Sequence, residues 1–193
     1  MASGVSKGPA TVGVADHWGW AVLVTVAPDA TLVDRRRVEL VDGALPKFPH
    51  HHECQVLPVA EAVALVERVR RSANACAMAC LEALAATVSA KIAGIALRTC
   101  PPLPETVTER ISNYTAQNVA DSVLYREALA RAAEAMGWPV HWYEANRVQA
   151  EAARALGRRS ITDLLQTTGA AIGPPWQKDH RIAMSAAIAK GAR

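Results

Sequence analysis

The densest set of metal-ligating side chains in this sequence is His50-His51-His52-Glu53-Cys54. Imidazole combined with carboxylate or thiolate suits zinc or a related ion. Adjacent residues of an extended segment point in alternate directions, so at most two of these, with His51 and His52 the candidates, would share an ion without a sharp turn. A complete site would need a partner from elsewhere, such as His17 or His180. The alternative is a solvated loop of histidines. Two aspartate-histidine pairs stand at places where elements begin or end: Asp16-His17, where an apolar run meets Trp18-Gly19, and Asp179-His180, at the start of an amphipathic stretch. Asp16 has two readings, a metal ligand or a turn former bonding its own backbone. Asp179 is either a ligand or an acid favoured at a helix start by capping and the dipole. Cys76 and Cys80, one helical turn apart, would pair as ligands or belong to a close-packed stripe with the neighbouring alanines.

Arginine clusters at Arg35-Arg36-Arg37, at Arg68, Arg70 and Arg71, and at Arg158-Arg159 have the fork geometry that matches phosphate oxygens. Strand alternation sends Arg35 and Arg37 to one face and Arg36 to the other, so the first run is not a single patch. The balance of charge, +3 over 193 residues, is well short of what binding nucleic acid by charge alone demands. Any polyanion site is therefore local. Aromatics are only 5% of the chain, with a single Phe, which leaves few platforms for stacking bases. Trp18, Trp20, Trp138, Trp142, Tyr143 and Trp176 would line a groove or pack in the core and at edges.

These residues need a scaffold, and a hydrophobic fraction of 51% with 20% charged is enough to build one. The length suits one domain, read as residues 11–193 after a flexible leader, 1–10. The four cysteines show no spacing typical of a disulfide framework or zinc ribbon, and no apolar run reaches membrane-span length. The N-terminal residues lack the apolar core of a signal peptide, so a cytoplasmic protein is expected, with no membrane partner.

Apolar and β-branched runs predict strands over 11–15, 20–26 and 32–41, an antiparallel meander, and then over 91–97 and 140–143. Apolar residues at steps of three and four from Ala62 to Val88 predict a long helix beginning near Val59. A second helical region is predicted over 105–136, stopped by Gly137 and Pro139, with shorter helices over 147–156 and 160–167 and a last one from about Lys178. Residues 42–58 have neither period.

Three strands followed by alternating helices and strands describe an α/β protein that resembles the ribonuclease H-like fold, a mixed five-stranded sheet with helices on both faces. Within that superfamily, Gly13-Val14-Ala15-Asp16 with Gly19-Trp20-Ala21-Val22, Val140 to Val148, and the alanine-rich final helix Asp179 to Ala189 are the segments by which the chain is similar to RuvC-type Holliday-junction resolvases. The resemblance implies a nuclease that hydrolyses phosphodiesters with Mg²⁺ or Mn²⁺ held by clustered carboxylates. It matches Asp16 and Asp179 to metal ligands, leaves Glu144 or Glu105 as a third carboxylate, and gives His180 an assisting role. It also implies a nucleic-acid partner and a homodimer, since a junction offers two symmetric cuts. The fourth strand departs from the family: where a metal-binding glutamate is expected stands Arg98. A guanidinium cannot bind a cation, so Arg98, with Arg35 and Arg37, is assigned to phosphate. The loss of that ligand opens a second reading, the same fold retained as a non-catalytic binding or assembly module, and the histidine loop a third, a metal-binding protein.

Overall fold

The structure is a computed structural model that describes residues 8–191. Most of the expected leader, 1–7, lies outside them. The first strand already begins at Ala10, inside the 1–10 segment. The strands are β1 (Ala10–His17), β2 (Trp20–Val26), β3 (Leu32–Glu39), β4 (Ile92–Arg98) and β5 (Val140–Tyr143). They form a single mixed sheet in the order β3-β2-β1-β4-β5. The meander is antiparallel, while β4 runs parallel to β1 and β5 parallel to β4.

The helices are α1 (Val59–Thr87), α2 (Val107–Ser112), α3 (Tyr114–Ala135), α4 (Val148–Ala155), α5 (Thr162–Ile172) and α6 (Lys178–Gly191). The region expected as one helix over 105–136 is two. Thr106 and Glu109 close a capping box that starts α2. Asn113 then adopts an extended backbone, and its side chain accepts from the Ala116 N–H to start α3. Two local caps therefore override a continuous helical period. The third strand also stops at Glu39, short of the expected Val41.

Side-chain alternation divides the sheet into two faces. Val12, Val14, Ala21, Leu23, Ile95 and Leu97 face α1 and α3, joining Val66, Val69, Leu124 and Leu129 in the larger core. Ala15, Val22 and Val24 face the opposite layer, against Ala152 of α4, Leu165 of α5 and Ala183, Met184 and Ala187 of α6. Helix α6 lies directly on β1 at Gly13. A Cβ there would run into the Ala183 carbonyl and the Ala187 amide. Among the described residues no helix is long and apolar enough to cross a membrane.

Candidate functional site

Asp16 is the last but one residue of β1 and has the parity of Val12 and Val14, so its carboxylate turns toward the α3 layer. Its side chain is 1% exposed, and Arg126 of α3 meets it with Nε donating to Oδ2 at 2.6 Å. The rest of that guanidinium is also engaged. Nη1 donates to the Thr99 carbonyl at 3.2 Å and Nη2 to the Ser122 hydroxyl at 3.2 Å. The second carboxylate oxygen of Asp16 has no hydrogen-bond partner among the described residues, and its nearest cation is Arg98 Nε at 3.8 Å. One buried carboxylate thus stands between two guanidinium groups, and the cluster carries one net positive charge. Tyr143 closes its floor by donating from its hydroxyl to the Val14 carbonyl at 2.6 Å. Burial, with the Asp16 charge adding to it, pushes the Tyr143 phenol up to about 12.

His17, one residue on, has the opposite parity and faces the α6 layer. Its Nε2 lies 3.1 Å from Asp179 Oδ2 at the start of α6, an ion-pair distance without hydrogen-bond alignment. The imidazole stacks on Trp20 with centroids 4.1 Å apart, and from β3 the Arg37 guanidinium sits 4.1 Å from the Trp20 ring centroid. His180 is buried, and its Nδ1 accepts the Gln177 N–H at 3.3 Å. Burial first, and the Arg35 charge second, hold its pKa below 6.5. Arg35 itself is spent on the turn before α6, where it donates to the carbonyls of Gly173 and Pro175. Arg36 points to the other face and pairs with Asp34 and Thr87.

The two aspartates that the resemblance matched are therefore drawn apart by strand alternation, Asp16 to Arg126 and Asp179 to His17. The carboxylates of Glu105 and Glu144 are exposed. Glu144 begins the turn into α4, with its carbonyl accepting from the Arg147 and Val148 amides. Among the described residues no group of three or more His, Cys, Asp or Glu side chains is placed to hold a metal ion. The donor set does not fit a divalent cation at Asp16: one carboxylate oxygen is committed to Arg126, and Arg98 stands by the other.

The histidine run is not a freely solvated loop. His50 is 1% exposed, and its Nδ1 donates to Asp121 of α3 at 2.8 Å. The backbone amides of His50 and His51 donate to the same carboxylate at 2.9 and 3.1 Å. Tyr125 adds a bond from its hydroxyl to the Lys47 carbonyl at 2.9 Å. His51 and His52 remain near the surface, edge to face at 4.5 Å. Asp121 and Arg126, which organise both regions, escape a search for motifs. A signal was present, because Gln117, Asp121, Tyr125 and Ala128 continue the buried stripe of α3. A charged residue in phase with an apolar stripe, as Asp121 is, must have a partner; Arg126, roughly 140° round the helix from Asp121, is out of that phase.

The sheet order, the antiparallel meander and the two helical layers define a ribonuclease H-like α/β fold of the RuvC type. Among solved structures the chain is similar to Thermus thermophilus RuvC in complex with a Holliday junction substrate, with TM-score 0.54 and 13% identity, covering 95% of this chain and 93% of that one. It is similar also to a second Thermus thermophilus RuvC structure, with TM-score 0.50 and 13% identity over the same shares of each chain. No protein-family model matches the chain, and no curated protein is significantly similar to it.

Proposed function

We propose that this protein is a ribonuclease H-like module that binds nucleic acid without cutting it. The observation that carries this reading is the buried pair of Asp16 with Arg126. Metal-assisted hydrolysis needs a carboxylate free to hold an ion beside the scissile phosphate, and here a guanidinium takes that carboxylate. Arg98 turns the same crevice toward anions. Its side chain is 34% exposed, although its Nε is buried 3.8 Å from Asp16 Oδ1. A guanidinium at a strand end is suited to a phosphate oxygen. The RuvC structure with a Holliday junction gives precedent for nucleic acid on this fold. Arg37 lies over Trp20 and pairs with Glu39 at 3.0 Å, whereas Arg35 serves the turn before α6.

The test combines binding and cleavage with labelled four-way-junction DNA, single-stranded DNA and RNA–DNA hybrid. Binding is expected in EDTA and in Mg²⁺ alike, with all substrates left intact in Mg²⁺ and in Mn²⁺. Arg98→Ala should weaken binding and reduce the slope of log K against log salt by about 0.7 to 0.9, the equivalent of one phosphate contact. Cleavage that disappears in Asp16→Asn would make the protein a nuclease. Failure of the native protein to bind any of the three would remove the nucleic-acid reading altogether.

A further inference from the structure

Five rings form a continuous row at the end of the sheet where β1 finishes. Trp18 in the β1–β2 turn meets Phe48 with centroids 5.3 Å apart, Phe48 meets His52 at 5.4 Å, His52 meets His51 at 4.5 Å, and His51 meets Tyr114 at 5.9 Å. The row joins three places far apart in sequence: a strand turn, the 42–58 loop and the start of α3. Its two ends are open, with Trp18 43% and Tyr114 73% exposed. In a chain with one Phe and three Tyr, this row takes the Phe and one of the Tyr. Phe48 is half-buried within it, and core packing does not account for Tyr114 at the surface.

The row is also held in place. Asp121 ties the amides of His50 and His51 and the His50 ring to α3, and Tyr125 ties Lys47. A surface fixed in this way loses little conformational freedom when something is laid on it. It adjoins the arginine crevice. Trp18 follows Asp16 by two residues, and Asp121 precedes Arg126 by five on α3, about 7.5 Å along a helix axis. None of the five side chains is acidic, although Glu53 follows His52 and Lys47, which precedes Phe48, is paired with Glu39 at 3.4 Å. Flat ring faces near a partly exposed guanidinium match a ligand made of flat groups on an anionic backbone.

We propose that this row stacks unpaired nucleobases, so that the nucleic acid engaged here is single-stranded or presents an unpaired segment. The inference rests on the nucleic-acid reading above and specifies what it recognises. In a duplex, the base faces are covered by neighbouring pairs and unavailable to protein rings, while an unpaired strand offers one face for each base. Arg98 then takes a phosphate of the same strand.

The experiment uses the full chain and three labelled probes: a mixed-sequence oligonucleotide, its duplex with the complement, and an abasic strand of equal length that keeps the phosphates. Tyr114→Ala and Trp18→Ala should each weaken the base-bearing strand by about 5- to 100-fold and leave the abasic strand unchanged. Arg98→Ala should weaken all three probes alike. Tyr114 is open enough that its truncation leaves the fold intact, so that variant decides the matter if Trp18→Ala folds poorly. Equal effects of Tyr114→Ala on the base-bearing and abasic strands, or no effect on either, would overturn the stacking surface while Arg98→Ala still reports phosphate binding. No binding of any probe by the native protein would overturn both readings.

Discussion

Asp121 and Arg126 stand five residues apart on α3, both buried but roughly 140° apart around its axis, and work in opposite senses. The acid collects three donors from the 42–58 loop, and the base delivers donors to β1 and to the loop after β4. A single helix thereby fixes the aromatic row and the arginine crevice relative to each other.

Removing Arg126 would leave the Asp16 carboxylate buried with only the more distant Arg98 for company. Arg126→Met should destabilise the protein by about 3 to 5 kcal/mol, the range for breaking one side of a buried pair. The double variant Asp16→Leu with Arg126→Met should recover most of that, because no uncompensated charge remains. Urea unfolding of the three proteins measures both values. A single variant within about 1 kcal/mol of native would mean that the pair is solvated and its carboxylate available.

Asp121→Ala should release the histidine loop. Three donors lose one acceptor, and an unsatisfied buried polar group costs about 1 to 3 kcal/mol. The expected signature is local as well as global: faster hydrogen exchange at the His50 and His51 amides and earlier proteolytic cutting within 42–58. Exchange at those amides no faster than in the native protein would show that the loop is held by its own turns.

The architecture was legible because it rests on local signals. Alternation put Arg36 on the face opposite Arg35 and Arg37, and the structure has Arg36 against Thr87 of α1 and Arg35 against the turn before α6. The same rule applied to Asp16 and His17 separates Asp16 from Asp179, because consecutive strand residues cannot both reach α6. Asp16's actual partner lies 110 residues away, and no local pattern announces a bond of that separation. The aromatic row is hidden for the same reason: its five rings come from three segments that only the tertiary fold assembles.

Gly13 tests how closely α6 must lie on β1. Its backbone is ordinary extended strand, so the constraint is space rather than conformation. Gly13→Ala forces a methyl into the Ala183 carbonyl and the Ala187 amide, and overpacking of this kind costs about 1 to 3 kcal/mol. Because the Asp179–His17 contact depends on that seat, the histidine's nuclear magnetic resonance signals should shift in the same variant. A Gly13→Ala protein as stable as native would show that α6 can lift away freely.

His180 makes acid stability a test of the α6 start. Its Nδ1 accepts a backbone N–H, which requires an unprotonated nitrogen. Burial and the Arg35 charge also hold its folded pKa below 6.5, against a smaller opposing pull from Asp179. Well above 6.5 the imidazole is neutral in both folded and unfolded chains and contributes no pH dependence. As pH falls through 6.5 the unfolded chain takes up the proton first, so stability drops, and the drop levels off once pH passes below the folded value. The melting temperature of the native protein should therefore fall relative to that of His180→Gln across this window and run parallel to it on either side. Comparison with the variant cancels the contributions of the other histidines. A native protein that gains on His180→Gln as pH falls would mean that His180 is protonated in the fold, with Asp179 rather than the Gln177 amide as its partner.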